Sequence, residues 1–368
     1  PGIPGVPFRD VDITIVRENI EDTYGAIEHM QTHDVAQCRR LITRPGCEQV
    51  HRYAFEIARR KGARRLTCGH KANIMKLTDG MFLETFREVA EDYPDIDSDD
   101  RIVDALALDL VTQPHVFDVV VLPNLAGDIL SDLCAGLVGG LAYAPSANVG
   151  DYVAIFEAVH GTAPELVGQD RANPSALLLS ACIMLRHLGY VRHAERIQCA
   201  LHEALAELHE VSEIPGVVST RELTDQVTQK LDALPQPVEH PVPLEVPKRV
   251  AAKMMVTPRT GREDTTGIDL FIDSDLPPEV VAQTVNSLCP VPLSVTMVSN
   301  RGTQVWPIGS AYTDQVNHHR VRVESEHAIS ANLLFDLAAR VNRELRVCSL
   351  EILMTIDEKP GFSRAQGQ

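Results

Sequence analysis

No G-x-G-x-x-G occurs anywhere in the 368 residues, so the Rossmann dinucleotide fingerprint is absent and any nucleotide must be held another way. No C-x-x-C pair occurs either. The eight cysteines (Cys38, Cys47, Cys68, Cys134, Cys182, Cys199, Cys289, Cys348) are scattered, which argues against a thiolate zinc site and fits a reducing cytoplasm. No apolar run is long enough to span a membrane, and the start does not read as a signal peptide. Positive charge is scarce: 34 Lys and Arg face 51 Asp and Glu, a net charge of −17. Such a surface repels nucleic acid and anionic lipid, so neither is expected as a partner.

What is present describes a globular protein, 44% hydrophobic and 23% charged. Strand and helix patterns alternate over residues 8–234, the signature of an α/β fold. Helices are predicted over Glu48–Lys61, Ile74–Tyr93, Ser175–Leu188, His193–Val211 and Thr220–Leu234. Ser175–Leu188 is apolar nearly all round and reads as buried. Ser219 and Glu222 read as a capping box for the last helix. Ala144–Asp151 reads as a loop, and Ile27–Ile42 gives no clear pattern. Residues 235–261 are rich in proline and read as a linker or strap. Over 262–368 the predicted order is β-α-β-β-α-β, that of a ferredoxin-like α+β module. The opening Pro1–Pro7 lacks Met and runs straight into a strand, so upstream sequence is expected to be missing.

Several residues invite chemistry. Asp128 and Asp132 lie four apart after the apolar run Val119–Leu122, on one face of a helix, one turn apart. They suit a hard divalent cation, or else form a solvated pair at a helix start. Arg17 and Tyr24 flank an acidic cluster at a strand end. An arginine can clamp a carboxylate and a tyrosine can pass a proton. Lys71 sits in a turn with Asn73 two residues on, and can act as a base where its pKa is lowered. Asp104 lies among apolar residues and wants a partner, a metal or an exposed face. His160-Gly-Thr-Ala-Pro164 has no side chain at Gly161, so a ligand can approach its backbone closely.

Together these segments resemble the β-decarboxylating dehydrogenases of isocitrate, isopropylmalate, homoisocitrate and tartrate. The matching motifs are Arg17-Glu-Asn…Glu21-Asp22-x-Tyr24, His70-Lys71-Ala-Asn73-Ile-Met-Lys76, Asn124…Gly127-Asp128…Ser131-Asp132, Ala144-Pro145…Asn148 and His160–Pro164…Asn173-Pro174. Asn73-Ile-Met-Lys76 and Tyr24-Gly-Ala-Ile-Glu28 look like isocitrate dehydrogenase. Ser299-Asn-Arg-Gly-Thr-Gln-Val305 and Pro360-Gly-Phe resemble the C-terminal extension of the Thermus-type enzymes. The resemblance implies a two-domain dehydrogenase core over 1–234, lacking the N-terminal part of its large domain, plus the module at 262–368.

It also implies roles. Asp128 and Asp132 would bind Mg²⁺ or Mn²⁺, with Asp104 given by a partner subunit. Arg17 and Asn73 would hold a tricarboxylate substrate. Lys71, also from the partner, would help deprotonate the substrate alcohol, and Tyr24 would protonate the product enol. His160, Gly161, Thr162, Ala163, Glu165, Leu166 and Asn173 would bind the coenzyme. NADP-using members resemble each other in having Lys and Tyr where this chain has Glu165 and Leu166. An acid there can bind a ribose hydroxyl and repels a phosphate, which implies NAD. Glu213–Ser219 looks shorter than its NADP-type counterpart, which implies the same. The implied protein is a cytoplasmic, homo-oligomeric, NAD-dependent isocitrate dehydrogenase. Alternatives are a homoisocitrate or 3-isopropylmalate dehydrogenase, or a regulatory subunit. The family's upstream region, with further substrate contacts, is not in this sequence, so this stretch alone is expected to be inactive.

Overall fold

Strand and helix alternate through most of this computed structural model, which describes residues 8, 11–150, 152–211, 219–238, 261–309 and 314–363. The chain runs β1 (Thr14–Arg17), β2 (Glu28–Met30), β3 (Ala36–Cys38), α1 (Arg44–Lys61), β4 (Arg65–His70), α2 (Thr78–Ala90), β5 (Asp97–Ile102) and α3 (Val103–Thr112). Next come β6 (Val119–Leu122), α4 (Asn124–Leu137), β7 (Pro145–Val149), β8 (Ala154–Ala158), α5 (Ser175–His187), α6 (Val191–Val211) and α7 (Thr220–Ala233). The C-terminal run is β9 (Glu263–Asp273), α8 (Pro278–Leu288), β10 (Ser294–Asn300), β11 (Thr303–Trp306), β12 (His318–Glu324), α9 (Ala331–Glu344), β13 (Arg346–Ile356) and β14 (Lys359–Pro360). Among the described residues no helix is long and apolar enough to cross a membrane.

The chain divides into two compact units. The first comprises Pro1–Asn19, Cys47–His70 and Thr85–Met255; the second comprises Ile20–Gly46, Lys71–Glu84 and Val256–Gln368.

The first unit is built on a parallel sheet of order β1-β6-β4-β5. Its central strand β6 is Val-Val-Val-Leu, buried on both faces, as a covered parallel strand should be. Val120 and Leu122 pack with Leu106 and Leu110 of α3, Phe117 and Leu130 of α4. Each such side chain, fully buried, contributes roughly 1.5–3 kcal/mol. Parallel strands place their carboxyl ends together, where α/β proteins keep their chemistry. Arg17 is the last residue of β1, Asp104 is the second of α3 after β5, and α4 starts two residues after β6. Helices α6 and α7 pack through Ala200, Leu201, Ala204, Leu223 and Val227. The predicted cap is present: Ser219 Oγ accepts the Glu222 N–H at 3.0 Å.

The second unit carries a six-stranded sheet of order β11-β10-β12-β9-β13-β14. Ile268, Leu270 and Ile272 of β9 pack with Val321 and Val323 of β12, Val281 and Val285 of α8, and Leu334, Leu337 and Val341 of α9. Strands β2 and β3 form an antiparallel hairpin tied to β13, where Ser349 Oγ donates to Gln31 Oε1 at 2.7 Å and Arg39 pairs with Glu351 at 2.5 Å.

Several sequence expectations need correction. Ala144–Asp151 is not all loop: Pro145–Val149 is a strand paired antiparallel with β8. Its Pro and Asn hid it, since proline is confined to strand starts and edges. The segment Ile27–Ile42 holds the β2–β3 hairpin, too short and polar to show a period. Helix α1 starts at Arg44, ahead of the predicted Glu48, with Pro45 in its first turn, where a missing N–H costs nothing. Helix α2 starts at Thr78, because Ile74 and Met75 donate back to the Lys71 carbonyl in a separate turn. Strand β11 was not expected; Arg301 and Gly302, both at positive φ, make the two-residue turn that folds it onto β10. Helix α5 is buried only on its Ser175, Ala176, Ser180 and Cys182 side, while Leu177 is 59% exposed. The Pro1–Pro7 loop, all of Glu213–Ser219 but Ser219, and most of the proline-rich stretch lie outside the described residues.

Candidate active site

In the first unit the site starts from one arginine. Arg17 Nε donates to Asn124 Oδ1 at 2.8 Å, and its Nη1 donates to Asp128 Oδ1 at 2.6 Å. Register makes this possible, since Arg17 stands beside Leu122 and α4 begins at Asn124. Gly127 is required for the approach. A Cβ there would lie 2.7 Å from Arg17 Cγ and 2.9 Å from its Cβ. Asn124 is buried, whereas the Arg17 and Asp128 side chains are 27% and 46% exposed. Like charges four apart on a helix repel, and the Arg17 guanidinium offsets that repulsion between Asp128 and Asp132. An ion pair this open to water is worth roughly 0–1 kcal/mol. Either partner can therefore be given up to a ligand at little cost.

Asp132, one turn along α4, is exposed. Asp104 is also exposed, in the first turn of α3, so its apolar neighbours in sequence do not surround it. Among the described residues no group of three or more His, Cys, Asp and Glu could hold a metal ion. Asp104, Asp128 and Asp132 are not brought together within one chain. Asp128 and Asp132 carry the carboxylate oxygens that a hard cation takes.

The loop after β8 also lies in the first unit. His160, Gly161, Thr162 and Glu165 are exposed along it. Nothing lies within 4 Å of where a Gly161 Cβ would be. Ala163 takes the left-handed conformation (φ 41°) and turns the chain into the 3₁₀ turn Pro164–Leu166. His160 Nδ1 is 2.9 Å from the Gly161 carbonyl. Asn173 Oδ1 accepts the Ser175 N–H at 2.9 Å, so this predicted coenzyme contact also ties down the start of α5.

The acid–base candidates belong to the second unit. Tyr24 is 50% exposed on the 3₁₀ turn Thr23–Gly25. Lys71 is half-buried, and its N–H donates to Asp79 Oδ2 at 2.6 Å. Asn73 is exposed in the turn that follows. Beneath these turns Arg40 pairs with both Asp22 and Asp79.

Residues 5–227 match the isocitrate/isopropylmalate dehydrogenase family, and residues 263–368 match the bacterial isocitrate dehydrogenase C-terminal domain. A protein of Thermus thermophilus named isocitrate dehydrogenase [NADP] is 42% identical over 379 residues, covering 100% of this chain and 76% of its own length. The chain belongs to the isocitrate/isopropylmalate dehydrogenase family. A mitochondrial subunit alpha of isocitrate dehydrogenase [NAD] from Macaca fascicularis is 46% identical over 230 residues, 62% of this chain and 66% of that one. A crystal structure of a Thermus thermophilus protein superposes with a TM-score of 0.89 at 41% identity, covering 100% of this chain and 76% of that one.

Asn124 and Gly127 belong to the dehydrogenase motif but have no role legible in the sequence; the structure gives them one, around Arg17. Asn19 and Asn148 are a second case. Asn19 Nδ2 donates to Asn148 Oδ1 at 2.7 Å, and Asn148 Nδ2 donates to Glu157 Oε1 at 2.8 Å. Arg40 carried no signal at all, standing in a stretch with no readable pattern.

Proposed function

We propose that this protein oxidatively decarboxylates isocitrate to 2-oxoglutarate and CO₂, passing a hydride to NAD with Mg²⁺ or Mn²⁺ present. The observation that carries the reading is the half-exposed Arg17–Asp128 pair, beside Asp132, at the carboxyl ends of parallel strands. A divalent cation, when bound, polarises the substrate oxygens and stabilises negative charge developing on them. Asp128 and Asp132 would hold it, with Asp104 of a second copy completing the set. Arg17 would exchange Asp128 for a substrate carboxylate, gripping it through two parallel bonds. Lys71 helps remove the hydroxyl proton, and Tyr24 returns a proton to carbon once CO₂ has left. Asn73 adds a polar contact to the substrate.

Preference for NAD rests on Glu165 and Leu166, exposed and half-buried on the loop that would meet the ribose. The Thermus relative is named an NADP enzyme and the mitochondrial relative an NAD enzyme, so this pair of side chains is what argues the choice. A second copy is supported by Leu108 and Val111 of α3 with Leu125 and Ile129 of α4, between 41% and 63% exposed. The eight cysteines form no disulfide, which suits the cytoplasm. The β13-β9-β12-β10 strand order, with α8 and α9 between strands, supports a ferredoxin-like description of the C-terminal module.

The test is an initial-rate panel on the full-length protein with Mn²⁺. Isocitrate with NAD should give the highest kcat/KM. A higher value with homoisocitrate or 3-isopropylmalate overturns the substrate, and a higher value with NADP overturns the coenzyme.

A further inference from the structure

Arg40, Asp22 and Asp79 form a buried charged chain under two loops that carry chemistry. The Asp22 side chain is fully buried, Asp79 is 3% exposed and Arg40 is 17% exposed. The Arg40 fork takes Asp22 with two bonds, from Nε to Oδ1 and from Nη2 to Oδ2 at 3.0 Å. Its Nη1 turns the other way, to Asp79 Oδ1 and to Met75 Sδ at 2.8 Å. Neither aspartate ends there. Asp22 Oδ1 also accepts the Thr23 N–H at 2.8 Å, opening the turn that carries Tyr24. Asp22 itself is held at φ 70°, a conformation that costs energy for any residue but glycine and needs such over-determination. The second oxygen of Asp79 accepts the Lys71 N–H at 2.6 Å. The Lys71 carbonyl then closes its own turn onto Ile74 and Met75 at 2.9 Å.

We propose that Arg40, through Asp22 and Asp79, is a positioning residue that sets the Tyr24 turn and the Lys71 turn together. Buried polar chains of this kind fix one arrangement because a half-satisfied one is costly. A lysine or tyrosine that must meet a proton at hydrogen-bond distance loses rate steeply when displaced by an ångström. The proposal rests on the roles given above to Tyr24 and Lys71. It adds that both depend on a side chain that touches neither of their reactive atoms.

The experiment compares the wild-type full-length protein with Arg40→Gln and Arg40→Lys, assayed with isocitrate, NAD and Mn²⁺. The Gln variant should lose about 100-fold in kcat with its isocitrate KM within about threefold of wild type. The Lys variant, which keeps the charge and reaches one carboxylate, should recover at least tenfold of that loss. Arg40→Gln strands two buried carboxylates and can unfold the chain. Asp79→Asn therefore serves as the second variant, since it leaves Arg40 and Asp22 balanced in charge and disturbs only the Lys71 side. It should lose about tenfold in kcat, again at unchanged KM. A folded Arg40→Gln or Asp79→Asn protein with wild-type kcat overturns the proposal. So does a loss that appears in KM alone. If wild type does not turn over isocitrate, the functional reading fails instead, and the two failures are told apart by that control.

Discussion

Arg17 and Arg40 each pair with aspartate, and their settings differ. Arg17 holds Asn124 and Asp128 with 27% of its side chain in water and 46% of Asp128's. Arg40 holds Asp22 and Asp79 at 17% exposure, with its partners almost wholly enclosed. The bonds are alike in kind, and burial separates what they do. Water and salt weaken the outer pair until it can be traded for a ligand. The inner set has no solvent to fall back on, so removing the arginine leaves two buried carboxylates uncompensated. The first arrangement suits binding, the second suits holding a backbone still.

The sharpest way to break this contrast is to remove each guanidinium and compare stability. Arg40→Gln should cost about 3–5 kcal/mol in urea unfolding. Arg17→Gln should cost no more than about 1 kcal/mol. Equal losses would erase the distinction. The same Arg17→Gln protein should instead lose about 100-fold in kcat/KM for isocitrate, the scale of a lost charged hydrogen-bonding clamp. A smaller expected effect belongs to the loop after β8, proposed above to meet the coenzyme. Glu165→Lys with Leu166→Tyr should move the NADP-to-NAD preference at least about tenfold towards NADP, or roughly 1.4 kcal/mol. An unchanged ratio would remove those two residues from coenzyme choice.

The smallest effect concerns acid. Burial lowers the pKa of His319, against smaller opposing bonds from the Ser274 and Leu276 backbone. Burial also lowers His318, aided by His319 and opposed by Asp273. The unfolded chain, titrating near about 6.5, binds those protons more readily than the folded one. Stability is then full above about pH 6.5 and declines as pH falls through that value. Thermal melting of the protein at about pH 5.5 should be lower than at about 7.5, and His319→Asn should flatten the difference. A melting temperature indifferent to pH would contradict this.

Much of the frame was legible. The all-apolar Val119–Leu122 announced a doubly covered strand, and the Asp128–Asp132 spacing placed both acids on one helix face. The Ser219 cap was readable because its chemistry is local. What was not legible came from partners distant in sequence. Gly127 matters only because β1, far back along the chain, brings Arg17 against it. Strand β7 exists because β8 pairs with it, in spite of its own composition. Arg40 lies 18 residues from Asp22 and 39 from Asp79, and no periodicity links such positions. Asp104 was open in the sequence between a partner, a metal and an exposed face, and its place in the first turn of α3 leaves it exposed.

The central claim is that the Arg17–Asp128 pair opens to take up metal and substrate. Its most direct test is isocitrate-dependent NADH formation by full-length Asp128→Asn, titrated with Mn²⁺, alongside the size of the assembly. Wild type should show saturable metal dependence, and the variant should show no turnover at any Mn²⁺ concentration while keeping its oligomeric size. A variant that keeps wild-type metal dependence would contradict the account.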